Sequence, residues 1–170
     1  LSGASPAPAS TVYVDADACP VREEIYRVAH RFSLPVVLVT NGSRPIRPTG
    51  LPFVRMVLVE DGADRADDWI AERIGPADLC VTSDIPLAAR CLGAGARALA
   101  PNGTVWSNDN IGAKLAGRAI SAHLRELGLA SGGPPPFSRQ HRAAFLNALD
   151  AELTALRRSV ARSRIAPGQS

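Results

Sequence analysis

Residues 11–40 read TVYVDADACPVREEIYRVAHRFSLPVVLVT, and the pattern of apolar residues changes period twice within them. The first five, TVYVD, are a short β-branched and aromatic run ending in an acid, which is the signature of a strand. Cys19-Pro20 then opens a helix, because proline is preorganised for a first helical turn and Glu23 and Glu24 suit the positive end of the dipole. Val21, Ile25, Val28 and Phe32 recur at spacings of four, three and four, which gives that helix one buried stripe. Residues 34–40, LPVVLVT, are nearly all apolar, as expected of a parallel strand covered on both faces. Strand, helix and apolar strand together form a β-α-β crossover, the connection that parallel neighbours require.

The same alternation continues outward. Residues 41–52 form a Gly/Pro/Arg loop, 53–59 a third strand, and 64–74 a helix with an acidic start. Residues 78–82 (DLCVT) are a fourth strand, followed by Ser83-Asp84 and a helix over 86–92. A fifth short strand spans 96–100, and Asn102-Gly103 marks a turn. A long helix over 109–127 carries Ile111, Leu115, Ile120, Leu124 and Leu127 on its apolar side. After a stiff linker at 131–136 (SGGPPP), a last helix over 139–157 places Phe145, Leu149, Leu153 and Leu156 on one stripe. The expected fold class is α/β: three layers, with a mostly parallel central sheet of about five strands and helices on both faces. The expected organisation is a disordered lead-in over 1–10, a single domain over 11–158 and a flexible tail over 159–170.

Composition agrees with one globular domain: 170 residues, 46% hydrophobic and 21% charged. Three cysteines, Cys19, Cys80 and Cys91, make an odd count without close pairing, so a disulfide scaffold is not expected. Cys80 and Cys91 read as small core hydrophobes. No His/Cys spacing suits zinc, and no apolar stretch is long enough to span a membrane. Residues 1–10 lack the basic start and apolar run of a signal peptide, so the cytoplasm is the expected compartment. The formal charge of +3 does not by itself mark a nucleic-acid binder. Its distribution says more: residues 1–100 hold 10 basic and 12 acidic side chains, and residues 101–170 hold 9 and 4. Of the 19 basic residues 18 are Arg, a bias that suits phosphate contacts but also follows from GC-rich coding; Lys114 is the only lysine.

In a parallel sheet the ligand site lies beyond the carboxyl ends of the strands. Seven of the ten aspartates fall there: Asp15 and Asp17 after the first strand, Asp61, Asp64, Asp67 and Asp68 after the third, and Asp84 after the fourth. Gathering like charges raises each carboxyl's pKa unless a cation neutralises them, and an oxygen-only donor set points to Mg²⁺ or Mn²⁺. Such an ion could activate water and stabilise the leaving oxygen in phosphodiester cleavage. Asp64 and Asp84 could instead cap helices, with Asp67 and Asp68 at a favourable dipole end. Asp61 reads as loop surface. Asp15 is hardest to explain structurally, because an acid ending a buried strand costs desolvation energy without a partner.

Other residues carry two readings each. Cys19 lies at a helix start, where a thiolate is favoured, or is simply packed beside the site. His30, His123 and His141 are far apart in sequence, and none is paired at a ligand spacing. Arg44 and Arg47 in the NGSRPIRPTG loop could grip phosphate or be solvated. Lys114, Arg118 and Arg125 share one broad side of the long helix and could track a nucleic-acid backbone. Asn110 could bind a base edge, and Trp106 could stack on a base or anchor the core. Arg157, Arg158, Arg162 and Arg164 form a basic end that could bind polyanions or solubilise.

At these residues a resemblance becomes specific. VDADACPV, GADRADDWIAE, VTSDIPLAAR, the NG turn, DNIGAKLAGR, GGPPPFS and RAAFLNALD resemble, in order, the motifs of the YaiI/YqxD family of uncharacterised bacterial proteins, over about residues 11–156. The resemblance implies a PIN-like fold and, through it, a metal-dependent nuclease site. Asp15 then matches the acid after the first strand, Asp17 a position often Asn or another polar residue, Asp67 or Asp68 the acid on the central helix, and Asp84 the acid of a Thr-x-Asp element. Thr82 or Ser83 would orient an acid or contact phosphate. Two positions depart from the family pattern: His141 stands where Asp is usual, and Ala119 where an acid follows the basic residue.

The function expected from these readings is divalent-metal-dependent hydrolysis of RNA or single-stranded nucleic acid. Asp15, Asp17, Asp67, Asp68 and Asp84 are the expected catalytic acids, and Asp15, Asp64, Asp68 and Asp84 the expected metal ligands. Arg44, Arg47, Ser83, Asn110, Lys114 and Arg118 are the expected nucleic-acid contacts. One alternative is a non-catalytic nucleic-acid-binding or regulatory module. Another is a haloacid-dehalogenase-type phosphatase with Asp15 as nucleophile, which needs a lysine near the phosphate; Lys114 lies in the late helix.

Overall fold

The computed structural model describes residues 10–17, 19–62, 64–128 and 136–165. The lead-in up to residue 9, linker residues 131–135 and the last five residues lie outside that description. In chain order the elements are β1 (Val12–Asp15), α1 (Arg22–Arg31), β2 (Val36–Thr40), β3 (Val54–Leu58), α2 (Arg65–Ala71) and β4 (Leu79–Val81). They continue with α3 (Ile85–Gly93), β5 (Arg97–Leu99), β6 (Val105–Trp106), α4 (Asn108–Glu126) and α5 (Arg139–Ile165).

The sheet runs in the order β3-β2-β1-β4-β5-β6. Every pairing is parallel except the last, between β5 and β6. Alternate residues feed two cores, as the pleat requires. Val12, Val14, Val36 and Leu38 pack with α1 and with Phe145, Leu149, Leu153 and Leu156 of α5. Val37, Val39 and Cys80 pack on the opposite face with α2, α3 and Trp106. All five residues of β2 are buried, which is why its sequence shows no polar alternation. The result is the three-layer, mostly parallel α/β architecture expected, with the cysteines buried and unbridged.

The order of strands locates the site. From β1 the chain steps outward to β2 and β3, then returns to place β4 on the other side of β1. The direction of winding therefore reverses between β1 and β4, and ligands of open α/β sheets bind beyond the strand ends at such a reversal. Asp15 closes β1, and Thr82-Ser83-Asp84 follows β4.

Four elements differ from the sequence reading. β6 is a sixth strand, antiparallel to β5 across the Asn102-Gly103 turn; at two residues it is too short to show a period. Helix α1 starts at Arg22, with Pro20 in the turn before it and no side-chain cap on its first turn. On α4 the five apolar residues do not share a face. At roughly 100° per residue Ile111 and Leu115 lie on one side and Ile120, Leu124 and Leu127 on the other. The helix packs on α3 and leaves Ile120 61% exposed. Finally, α5 runs on to Ile165, because Val160 still packs against the core beneath it.

Candidate active site at the strand ends

Among the described residues only two polar side chains are fully buried, Thr40 at the end of β2 and Thr82 just beyond β4. Each holds an aspartate of the neighbouring strand end. The Thr82 hydroxyl donates to Asp15 Oδ2 at 3.0 Å, while the same oxygen accepts the backbone N–H of Asp84 at 2.9 Å. The Thr40 hydroxyl donates to Asp17 Oδ1, and its oxygen accepts the N–H of Gly42. The second oxygen of Asp17 accepts the N–H of Asn41 at 3.0 Å. Trp106 completes the frame: its indole N–H donates to the Thr82 carbonyl at 3.1 Å from inside the core. Of the two readings for Trp106, the structure shows the core anchor.

Asp84 is the N-cap of α3, its Oδ1 accepting the Leu87 N–H at 2.9 Å. Capping engages one oxygen; the other has no described partner. Asp67 and Asp68 lie in the first turn of α2. Asp68 pairs with Arg90 of α3 at 2.7 Å. Asp64 precedes α2 with φ of 68°, a left-handed conformation uncommon outside glycine, and makes no side-chain cap. Asp61 is exposed.

The electrostatics join three of these acids. Burial raises the Asp15 carboxyl above its usual range, and the charges of Asp17 and Asp84 push it further, against the Thr82 hydrogen bond. Asp67 is pushed up to about 6, first by burial and then by Asp84, Asp15 and Asp64, with Arg90 opposing. The charge of Asp84 therefore reaches both Asp15 and Asp67, and that of Asp15 reaches Asp67, across three separate elements at the reversal point. Among the described residues no three His, Cys, Asp or Glu side chains form a preformed metal cage. Mg²⁺ does not need one, since it is commonly held by one or two carboxylates and keeps several waters. Two oxygen donors on adjacent strand ends, Asp15 and Asp84, fit that requirement.

The other expected residues are distributed unequally. Ser83 is exposed beside Asp84. Arg44 and Arg47 are exposed on the β2–β3 loop, which Asp17 and Thr40 anchor. Asn110 is engaged at the start of α4, accepting from the Ser107 N–H and donating to the Val105 carbonyl. Lys114 is exposed on α4, and the Arg118 side chain lies outside the described residues. Burial pushes the Cys19 thiol up to about 11, so it is a packed thiol rather than a reactive one. His141 accepts the Ser138 N–H at the start of α5, and His30 stacks near Phe53.

Sequence reasoning missed Thr40 and Arg90. Thr40 carried a signal, since it is the one polar residue ending an otherwise apolar strand. Arg90 did not, because its pairing with Asp68 depends on which helix lies opposite.

The architecture is a three-layer, mostly parallel α/β domain, consistent with a PIN-like fold. The profile of the uncharacterised YaiI/YqxD family matches residues 13–155, and the chain belongs to that family. It is 52% identical over 156 residues to a UPF0178 protein of Rhodopseudomonas palustris, covering 92% of this chain and 95% of the relative. It is 50% identical over 147 residues to a UPF0178 protein of Parvibaculum lavamentivorans, covering 86% and 95%. A UPF0178 protein of Caulobacter vibrioides is 47% identical over 153 residues, covering 90% and 99%. No solved structure matches the chain. Among the described residues no helix is long and apolar enough to cross a membrane.

Proposed function

We propose that the strand-end site hydrolyses phosphodiester bonds in RNA or single-stranded nucleic acid with the help of Mg²⁺ or Mn²⁺. The observation that carries the proposal is that Asp15 and Asp67, each pushed up by burial and by the charge of Asp84, lie with it where the sheet reverses its winding. Like charges held together cost a fold stability unless a cation or a proton neutralises them, and such clusters concentrate at functional sites.

A bound divalent ion supplies positive charge for the scissile phosphate and lowers the pKa of water. Asp15 and Asp84 are the residues to hold it, Asp15 oriented by Thr82 and Asp84 through the oxygen that does not cap α3. Asp67, half-buried in the first turn of α2 and not needed to hold the ion, is the carboxylate to take a proton from the attacking water. Ser83, exposed between Thr82 and Asp84, would contact a phosphate oxygen. The Asp-x-Asp phosphatase reading fits less well: both oxygens of Asp17 are engaged by Thr40 and Asn41, and no described contact brings Lys114 to Asp15.

The test is hydrolysis of end-labelled single-stranded RNA with Mn²⁺, wild type beside Asp84→Asn. Asparagine caps a helix about as well as aspartate, so the variant keeps α3 while removing a charge from the site. Expected is Mn²⁺-dependent cleavage that falls about a hundredfold or more in the variant. Cleavage without metal, or equal cleavage by both proteins, overturns the proposal.

A further inference from the structure

Beside the acids lies a groove that the strand-end chemistry does not use. A cavity of about 370 Å³ opens next to β1, lined by Asp17, Cys19, Arg22, Arg44 and Pro45. A second, of about 660 Å³, continues along α1 and the β2–β3 loop past Tyr26, Ile46 and Arg47. The two share Arg22 and Pro45 and so adjoin, giving a channel whose end at Ala16 and Asp17 lies one and two residues beyond Asp15; Asp15, Asp67 and Asp84 do not themselves line it.

Its walls are chemically divided. Arg22, Arg44 and Arg47 make no side-chain hydrogen bond or ion pair with a described residue, whereas Arg31, Arg90, Arg97 and Arg142 are paired with carboxylates. The channel's acids are Asp17, whose oxygens are both hydrogen-bonded, and exposed Glu23. Between the arginines the surface is Pro45, Ile46, Pro48 and Leu51. Arg44 and Arg47 each precede a proline, which biases both towards extended backbone. In an extended polyproline-like chain residues three apart return to the same side, roughly 9 Å apart. The Arg-Pro-x-Arg-Pro segment therefore favours two guanidinium groups spaced along one track at low entropic cost. Its base is fixed by the Asp17, Thr40 and Gly42 hydrogen bonds.

We infer that this channel is a track for the backbone of a single-stranded nucleic acid, with Arg22, Arg44 and Arg47 as successive phosphate contacts leading to the strand-end acids. The inference deepens the hydrolase reading and rests on it for the choice of a polynucleotide. Cationic groups alternating with an apolar floor suit a strand whose unpaired bases are free to contact Pro45, Ile46 and Leu51; a duplex keeps its bases stacked away from such a floor.

Binding separates the track from the chemistry. Fluorescein-labelled single-stranded RNA is titrated in EDTA, where no cleavage occurs, with wild type, Arg22→Ala, Arg44→Ala and Arg44→Glu, and Arg55→Ala, exposed on β3 and lining neither cavity, as a control. Unchanged thermal melts show that each variant is folded. Expected for Arg22→Ala and for Arg44→Ala is about tenfold weaker binding at low salt, and a salt slope (log K against log salt) shallower by roughly 0.7. Arg44→Glu weakens binding further, Arg55→Ala leaves it unchanged, and a duplex of the same length binds more weakly than the single strand. Unaltered affinity and slope in the Arg22 and Arg44 variants overturns the track, as does equal or tighter duplex binding. If those variants bind normally while Asp84-dependent cleavage persists, the track fails and the hydrolase stands. If they lose binding while wild type cleaves nothing with Mn²⁺, the track stands and the hydrolase falls.

Discussion

Thr82 donates its hydroxyl to Asp15 Oδ2 at 3.0 Å, joining two strand ends that are 67 residues apart in the chain. One buried hydroxyl thus orients an acid on β1 and, by accepting from the Asp84 N–H, shapes the turn that carries a second acid. Replacing Thr82 with Val keeps the shape and removes both contacts. Expected is a stability loss of about 1–2 kcal/mol in urea denaturation, because the partly buried Asp84 N–H and the Asp15 carboxylate each lose a partner. The Asp15 carboxyl, losing the bond that favours its charged form, rises further, so the acid limb of the pH–activity profile moves to higher pH.

Asp67 should make the metal-free protein less stable near neutral pH. Its carboxyl titrates near 6 in the fold against an ordinary value of 3.8, so the folded chain binds that proton more tightly than the unfolded chain. The penalty is full above about pH 6 and is relieved as pH falls towards 4. Asp67→Asn removes it. Thermal melts in chelator should show the variant more stable than wild type at pH 7.5, with the difference shrinking steadily to pH 4.5.

Arg142 and Glu24 tie α5 to α1. The Arg142 guanidinium donates to Glu24 Oε1 at 2.8 Å and to the Pro20 carbonyl, and Glu24 Oε2 is buried without a partner among the described residues. Arg142→Ala strands a carboxylate whose side chain is only 13% exposed, and should cost about 2 kcal/mol. Adding Glu24→Gln should recover part of that loss, as a double-mutant cycle by urea denaturation will show.

Gly103 turns the chain from β5 to β6 with φ of 95°, and a Cβ there would lie 2.8 Å from Ala144 of α5. Gly103→Ala is both strained and overpacked. Expected is a loss of about 2 kcal/mol or more, with weakened cleavage, since β6 carries the Trp106 that holds the Thr82 carbonyl.

Cys19 should be inert to thiol reagents. Burial raises its thiol to about 11 against an ordinary 9.0, so at pH 8 the thiolate is about a hundredfold scarcer than in an exposed cysteine. Reaction with a chromogenic disulfide should be slow in the native protein and rapid after unfolding.

Much of this arrangement was legible in the sequence, for local reasons. The β-α-β unit over residues 11–40 announced itself by its change of period, and Asp15 and Asp84 stood out because each follows an apolar strand. The capping reading of Asp84 was also local, resting on the proline two residues later. What was hidden depends on lateral registry. Thr40 reaches Asp17 because β2 pairs with β1 in the register that sets Val39 beside Asp15, and nothing in either segment alone reports that. Likewise, Asp67 and Asp68 are adjacent in sequence, yet one faces the acids and the other Arg90, a distinction made by the packing of α2 on α3. The face of α4 was misread because its apolar residues are spread around more than half the helix.

The most direct measurement is anomalous scattering from a crystal of the protein soaked in Mn²⁺. A single strong peak coordinated by Asp15 and Asp84, with Asp67 beside it and absent from crystals of Asp84→Asn, is the expected result. A peak elsewhere, or none at millimolar Mn²⁺ with the three carboxylates pointing apart, would contradict the assignment of this site to cation-assisted phosphodiester hydrolysis.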